Sequence, residues 1–196
     1  MTDLRREIGR KAFHMLSLVY LAAFYLIGYP RVLVALAAWL VFVAAVEAGR
    51  FASERLNRAL TGFFRGMIRE TEQRSYSGIF HTTAGCLTTI LIAGRRPRVV
   101  TAALLCLALG DAAAALVGKA WGRHRFPGSD KSVEGSLACL LVCLGVGLAA
   151  GLGPWPAAGA ALAATLVELL PTTRFFNDNL WMPVAAAAAA LASGAR

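Results

Sequence analysis

Residues 31–49 of the chain read RVLVALAAWLVFVAAVEAG, an apolar run whose only charges are Arg31 and Glu47. At a rise of about 1.5 Å per residue, a helix of this length reaches across the roughly 30 Å hydrocarbon core of a bilayer. A run this long with so little charge predicts a transmembrane helix rather than a helix in the core of a soluble domain.

Six further apolar runs lie along the 196-residue chain, and Pro, Gly or charged residues mark the breaks between them. The seven predicted spans are 12–29, 31–49, 76–93, 99–118, 133–151, 155–170 and 180–194. The last run is Ala-rich and only weakly apolar, so we expect it to insert against its neighbours. The sequence shows no internal repeat. We therefore predict one domain over residues 1–196, an all-α polytopic membrane helix bundle of about seven transmembrane helices.

The overall composition also favours a chain dissolved in lipid. Hydrophobic residues make up 58% of the chain and charged residues only 16%, whereas a soluble domain has about 25% charged residues. The net charge of +9 would indicate nucleic-acid binding in a soluble protein. Here the basic residues flank apolar runs, so we predict no nucleic-acid partner. The four cysteines lie within the runs and lack zinc-type spacing, so we expect no disulfide and no metal bound to them.

The basic residues are unevenly distributed between the two sides of the predicted bundle. With a cytosolic N-terminus, 15 of the 20 Lys and Arg residues fall on the inner side. The positive-inside rule therefore predicts the N-terminus in the cytosol and the C-terminus outside. Residues 51–70 alternate apolar and basic side chains at helical spacing, which predicts an amphipathic segment on the inner membrane surface. An ordinary inner loop with some helix is the alternative.

Seven ionisable residues lie in the predicted spans or at their ends, where charge is costly. They are His14, Glu47, His81, Asp111, Glu134, Glu168 and Asp178. All seven fall in the cytosolic half, so we predict one polar site at the cytosolic border of the membrane. Simpler interpretations stay open for three of them. Glu47 could form a simple surface ion pair with Arg50, with no further role. His14 could be an interfacial anchor, and His81 could be a packing residue bound to a carbonyl.

Residues 110–136, GDAAAALVGKAWGRHRFPGSDKSVEGS, carry the densest polar chemistry. Asp111 is a hard oxygen ligand suited to Mg²⁺. Ser132 is a predicted N-cap whose helix start, beside Lys131, forms an anion site. The stretch also supplies Lys119, Arg123, Arg125, Glu134, Gly135 and Ser136 as candidate ligand-binding residues. A carboxylate, cations and a helix N-terminus together are suited to holding a triphosphate, although no Walker A loop is present. A basic inner loop without a ligand is the alternative.

This stretch resembles the signature of the CTP-dependent lipid-alcohol kinases, which include dolichol, polyprenol and phytol kinases and the CTP-dependent diacylglycerol kinase. The likeness rests on GDAAAALVGKAWGRHRFPG followed by KSVEGSLA. Three weaker pieces extend it over nearly the whole chain. Arg10-Lys11-x-x-His14 resembles the family's opening motif, and Arg69-Glu70 to Gly78, before His81, resembles its second motif. Val167-Glu168 with Asp178-Asn179-Leu180 and Pro183 resembles its closing segment.

The resemblance implies transfer of the γ-phosphate of CTP, with Mg²⁺, to the hydroxyl of a lipid alcohol. Under it, Asp111 would bind Mg²⁺ with Glu134 or Asp178. Phosphates would be held by Lys131, Arg123, Arg125 and the Ser132 helix start, with Lys119, Gly135 and Ser136 nearby, and Asn179 would contact ribose or phosphate. Asp111, Glu47 and His14 are alternative bases for the alcohol proton. The compact chain resembles prokaryotic-type members, which implies an integral inner or plasma membrane protein with its site on the cytosolic side.

Several alternatives stay open at the level of sequence. The central motif also resembles phosphatidate cytidylyltransferase, although Lys131-Ser132-Val133-Glu134-Gly135 lacks that family's double lysine and Thr. A small transporter or membrane scaffold is a third possibility, but transporters more often show repeats and charges at the midplane. The sequence leaves open which alcohol is phosphorylated, whether CTP or ATP is the donor, and whether the protein forms a homodimer.

Overall fold

A computed structural model describes residues 2–63, 75–171, 173 and 176–195. Within this part of the chain, ten α-helices form the molecule, and one isolated β-bridge is the only strand-like pairing. The helices are α1 (Thr2–His14), α2 (Leu18–Ile27), α3 (Arg31–Ala52), α4 (Glu54–Phe63), α5 (Gly78–Ala93), α6 (Pro97–Leu105), α7 (Asp111–Trp121), α8 (Val133–Ala149), α9 (Pro154–Leu169) and α10 (Asp178–Ala192). The prediction of an all-α fold is confirmed.

In the described part of the chain, three continuous helical segments are long and apolar enough to cross a membrane. They are Glu7–Ile27, Arg31–Ala52 and Pro97–Trp121, and α5 and α8 are shorter apolar helices. The first contains a 3₁₀ turn at Met15–Ser17, and the third contains a π-helical turn at Cys106–Gly110. These helices are consistent with a membrane-embedded protein.

The helix ends follow local chemistry closely. Ser132 caps α8 by accepting a hydrogen bond from the Gly135 amide at 3.1 Å, as predicted. Ser77 caps α5 in the same way, through the Phe80 amide. α6 begins at Pro97, two residues before the predicted span, because proline is well tolerated in the first helical turn.

The segment 51–70, predicted as one amphipathic stretch, is divided between two helices in the structure. α3 continues to Ala52, and the amphipathic helix α4 begins at Glu54, after a break at Ser53. The last part of the predicted segment, residues 64–70, which includes Glu70, lies outside the described residues.

Small residues let the helices of the core approach closely. The Ala-rich α10 packs against α9 and α5, with Ala186, Ala187 and Ala190 buried. A Cβ atom on Gly85 would lie 2.7 Å from the backbone oxygen of Asn179, so α5 and α10 touch through their backbones. Close packing of small residues is the usual source of cohesion between helices in lipid. As expected from the sequence, α10 lies against its neighbours.

Candidate functional site

Asp111 is the centre of a buried polar cluster at one end of the bundle. It begins α7 directly after the π-helical turn at Cys106–Gly110, and such turns are frequent at functional sites. Its carboxylate forms an ion pair with the ammonium group of Lys11, and both side chains are buried. His14 Nε2 lies 3.4 Å from the same carboxylate oxygen and 3.2 Å from the Leu107 carbonyl oxygen. Both of these neighbours are acceptors, so Nε2 must carry a hydrogen.

A polar cavity of about 370 Å³ opens beside Asp111, between α1, α7, α8 and the ends of α9 and α10. Four cations line it: Arg10, Lys11, Lys119 and Lys131. Five carboxylates line it as well: Glu7, Asp111, Asp130, Glu168 and Asp178. Ser132, Gly135 and Ser136 complete one wall, so the capped start of α8 faces the cavity as the sequence predicted.

Glu7 is a site residue that sequence reasoning missed. It is 5% exposed, its Oε2 lies 3.1 Å from Lys119 Nζ, and its other oxygen pairs with Arg10. The carboxylate therefore ties α1 to α7 beside the cavity. The sequence did contain a pattern that points to Glu7. Glu7, Lys11 and His14 lie at i, i+4 and i+7, so they share one face of a helix.

Lys131, which is partly buried, and Glu168, which is buried, form a second ion pair in the polar cavity. Lys131 Nζ lies 3.0 Å from Glu168 Oε1, an ion pair without hydrogen-bond geometry. Glu168 is 7% exposed, and its Oε2 has no hydrogen-bond partner among the described residues. The pair joins the loop before α8 to the end of α9. The sequence placed these two segments on the same, inner side of the membrane.

The loop from Gly122 to Ser132 turns several predicted residues away from the cavity. Arg125 and Ser132 form the isolated β-bridge, and the Arg125 guanidinium donates to the Asp130 carbonyl at 2.6 Å. Glu134 Oε1 lies 2.7 Å from His124 Nδ1, on the exposed side of α8. Arg123 and Arg125 are exposed and line neither of the two cavities described here. The structure therefore brings together Lys119, Lys131 and Ser132, but not Arg123, Arg125 or Glu134.

A second, larger cavity of about 700 Å³ lies between α2, α3 and α5. Its walls are mainly apolar and include Val19, Leu36, Phe42, Val43 and Ile79. Val19 and Phe42 are 61% and 56% exposed, respectively. The cavity is therefore an open apolar groove between α2 and α3 that has room for an apolar chain.

A chain of hydrogen bonds crosses this groove and holds its walls together. Trp39 Nε1 on α3 donates to the Tyr20 hydroxyl on α2 at 3.3 Å. The Tyr20 hydroxyl lies 2.6 Å from Thr83 Oγ1, which donates to the Ile79 carbonyl at 2.8 Å. The directions are consistent with each hydroxyl donating to the next acceptor, so every donor in the chain is satisfied.

The polar end of the groove contains Glu47 and Arg50. Glu47 Oε2 lies 2.5 Å from Arg50 Nη2, and Glu47 Oε1 accepts from the Ser77 amide at 3.4 Å. Arg50 also donates to the Ser75 carbonyl and to Asn57. The simple ion pair considered from sequence is present, but it is buried and joins the end of α3 to the start of α5. Asn179 lines this groove as well.

His81 lies in neither cavity. Its Nδ1 is 3.0 Å from the Ser77 carbonyl oxygen, one turn earlier in α5. Its ring packs edge-on against Phe80 and Tyr76. This matches the alternative interpretation of His81 as a packing residue bound to a carbonyl.

The two cavities meet at a small set of charged residues. Arg10, Lys11, Asp111 and Asp178 line both of them. A polar compartment lined by both cations and carboxylates and an apolar groove therefore share one charged boundary. A molecule in the groove and a molecule in the polar cavity would both reach the Asp111 carboxylate.

The residues at this boundary fit Mg²⁺ only with help from a ligand. Among the described residues, no three His, Cys, Asp or Glu side chains are grouped closely enough to hold a metal. The predicted trio is divided, because Asp111 and Asp178 line the same cavities whereas Glu134 is bound to His124. Two carboxylates are nevertheless what Mg²⁺ commonly uses when phosphates and waters supply the remaining ligands.

Comparisons of the chain with protein-family models, with curated proteins and with solved structures found no match. The basis for a functional assignment is therefore the chemistry of the two cavities, together with the resemblance of the motifs.

Proposed function

We propose that the protein is a lipid-alcohol kinase, which transfers the γ-phosphoryl group of a nucleoside triphosphate to the hydroxyl of a lipid alcohol. CTP is the proposed donor, on the resemblance of residues 110–136 to the CTP-dependent lipid-alcohol kinases. Polyprenols, phytol-like isoprenols and diacylglycerol are the candidate acceptors. The phosphatidate cytidylyltransferase reaction is the alternative that uses the same ligands.

The observation that carries this proposal is the shared boundary of the two cavities. The groove between α2 and α3 is apolar and open at the side, as a lipid tail requires. The cavity beside it is lined by four cations, five carboxylates and a capped helix start, and the cations and the helix start are suited to a triphosphate. A kinase acting between these two substrates needs the hydroxyl and the γ-phosphate to meet, and Asp111 and Lys11 lie where they would do so.

The proposed reaction is an in-line displacement at the γ-phosphorus. The acceptor's hydroxyl oxygen forms a bond to phosphorus, the bond from phosphorus to the β–γ bridging oxygen breaks, and the nucleoside diphosphate leaves with that electron pair. Asp111 takes the hydroxyl proton. His14 is a poorer base through Nε2, which faces two acceptors, and Glu47 is already engaged by Arg50. His14 instead orients the Asp111 carboxylate.

Cations of the polar cavity have the second role in this reaction. Lys11 is proposed to exchange its carboxylate partner for phosphate oxygens when the nucleotide binds. Lys131 has three N–H donors and is proposed to bind phosphate while it stays beside Glu168. Asp111 and Asp178 would then hold Mg²⁺, which neutralises charge on the phosphates when it is bound. Preorganised cations of this kind act mainly on the charge of the transferring group.

The arrangement in the membrane follows from the basic residues. We propose seven transmembrane segments, formed by α1–α2, α3, α5, α6–α7, α8, α9 and α10. The N-terminus is proposed to be cytosolic and the C-terminus outside, with both substrates meeting at the cytosolic border. This places the polar cavity in the compartment that contains nucleotides.

Product analysis tests the proposal directly. The protein purified in detergent would be incubated with Mg²⁺, γ-labelled CTP or ATP, and geranylgeraniol, undecaprenol or dioleoylglycerol. Label in the lipid phase, with release of CDP or ADP, is the expected result and identifies donor and acceptor together.

The same assay with phosphatidate separates the alternative reaction. Release of pyrophosphate and formation of a CDP-lipid would assign the protein to nucleotidyl transfer and overturn the kinase proposal. Absence of any labelled lipid and of pyrophosphate across the whole panel would contradict both reactions and favour a transporter or scaffold.

A further inference from the structure

Glu168 has a hydrogen-bonding capacity that the protein leaves unused. It lies at the end of α9 and lines the polar cavity. Lys131 lies beside Oε1, whereas Oε2 is buried and accepts no hydrogen bond in the described part of the chain. A buried acceptor without a donor is costly. A ligand in the cavity that offered an N–H or O–H group would remove this cost.

The position of Glu168 indicates which part of a nucleotide it would face. Asp111, Lys11 and Asp178 line both cavities, but Glu168 and Lys131 line only the polar one. The γ-phosphate must reach the boundary between the cavities, because the acceptor's hydroxyl is there. The nucleoside half therefore extends away from the boundary, toward the residues that line the polar cavity alone.

Electrostatics supports the same orientation. A carboxylate repels phosphate oxygens, so a second carboxylate oxygen without a partner is poorly suited to the phosphate end of the cavity. It is well suited to a neutral donor. In nucleotides such donors are the exocyclic amine of cytosine and the ribose hydroxyls, both of which proteins bind through carboxylates.

We propose that Glu168 accepts a hydrogen bond from the nucleoside half of the donor nucleotide and so contributes to the choice of nucleotide. This inference rests on the proposed function, since it requires a nucleotide in the polar cavity. Lys131 lies beside Oε1 and Oε2 has no donor among the described residues, so a rotation of the carboxylate about its last side-chain bond would turn Oε2 to a ligand in the cavity. Uracil carries a carbonyl acceptor in place of the cytosine amine, so a carboxylate at this position would disfavour UTP.

Nucleotide binding without an acceptor tests this inference. Displacement of a fluorescent CTP analogue by CTP, UTP, 2′-deoxy-CTP and 3′-deoxy-CTP would be measured with Mg²⁺ for the native protein and for Glu168→Gln. The native protein should prefer CTP to UTP, or to one of the deoxynucleotides, by at least about tenfold. Glu168→Gln should bring that ratio close to one. Glu54→Gln, which removes a carboxylate on α4 that lines neither cavity, should keep the native ratio.

The pattern of losses identifies the donor group. If Glu168→Gln loses only the preference for CTP over UTP, the donor to Glu168 is the cytosine amine. If it loses only the preference for CTP over a deoxynucleotide, the donor is a ribose hydroxyl. Equal native binding of all four nucleotides overturns the inference even if the variant does not fold, and so does uniform weakening in the variant. Selective nucleotide binding that Glu168→Gln loses, without phosphorylated product, overturns the proposed kinase reaction and supports the role of Glu168. Absence of any nucleotide binding overturns both.

Discussion

The Asp111 carboxylate gains its partners from a helix that lies far away in sequence. Its ion pair with Lys11 joins residues 100 positions apart, and His14 reaches it from the same helix, one turn on. Carboxylates within a membrane bundle are rare and generally paired. The pairing explains how Asp111 is tolerated in its buried position, and its place at the boundary of two cavities explains why it is there.

Asp111→Asn tests this residue at the proposed site. Asn has a similar volume but cannot carry the charge that orients Lys11, bind Mg²⁺ well or accept a proton. Turnover of the labelled lipid should fall at least about a hundredfold, in line with the loss of a preorganised charged group. The measurement is the initial rate per folded molecule in detergent, with Glu54→Gln as the control. Turnover at the native rate in Asp111→Asn would contradict the proposed function.

Glu47 has a different role at the residue scale, because its contacts are structural. It is 4% exposed and pairs with Arg50, which is itself buried. Glu47→Gln would leave the Arg50 charge without its carboxylate. Removing one partner of a buried pair typically costs 3–5 kcal/mol, so we expect a loss of about 3 kcal/mol in unfolding free energy.

The midpoint of thermal unfolding in detergent measures this loss. Glu47→Gln should unfold at a clearly lower temperature than the native protein. Glu54→Gln, which removes an exposed carboxylate on α4, should unfold close to the native temperature. An unchanged midpoint for Glu47→Gln would mean that the Glu47–Arg50 pair does not stabilise the junction of α3 and α5.

At the scale of elements, the crossing of α7 and α8 shapes the polar cavity. A Cβ atom on Gly135 would lie 2.6 Å from the Ala114 carbonyl oxygen, 3.2 Å from Gly118 Cα and 3.2 Å from Ser132 Oγ. The first two are backbone atoms, so rotation of a side chain cannot relieve the contact. Glycine at this position therefore allows the capped start of α8 to lie against α7, beside Lys131.

Gly135→Ala should accordingly destabilise the crossing. Overpacking typically costs about 1–3 kcal/mol, and the thermal midpoint should fall. Gly145 offers a matched control on the same helix, since a Cβ atom there would meet nothing within 4 Å. Gly145→Ala should be neutral or stabilising by up to about 1 kcal/mol through helix propensity. Equal midpoints for the two variants would show that the close approach of α7 and α8 is not needed.

At the scale of the whole molecule, the proposed seven spans give a parity that can be measured. An odd number of spans places the two termini on opposite sides of the membrane. In right-side-out vesicles, a tag at the C-terminus should be open to a membrane-impermeant protease, and a tag at the N-terminus should be protected until the vesicles are lysed. Digestion of both tags, or protection of both, would contradict the seven-span topology.

Much of the architecture was predictable because it depends on local chemistry. Apolar runs of bilayer length, proline at helix starts and the Ser132 cap act over a few residues, so most helices lie within a few positions of their predicted bounds. The first is the exception, because it begins at Thr2, ten residues before the predicted span. Asp111 and Lys131 were predicted as site residues for the same reason. Asp111 stands out within its span as a charge that lipid would not tolerate without a partner. Lys131 stands out as a cation beside the capped start of a helix.

The composition of the site was less predictable, because several of its members are defined by contacts between helices. Glu7 reads as a solvated charge in the first helix, yet it is buried against Lys119. Arg123 and Arg125 read as phosphate ligands, yet the β-bridge at Arg125 lies in an exposed loop. Glu134 reads as a metal ligand, yet it binds His124.

The amino-acid sequence by itself determined the helical class, the positions of the helices and the residues that needed partners, because hydrophobic length and helix capping act within one segment. Only the tertiary structure decided which of those residues meet, and that an apolar groove and a polar cavity share a boundary at Asp111. The physical reason is that helices in lipid associate through the fit of small residues and through hydrogen bonds between segments. Neither can be read from one segment alone.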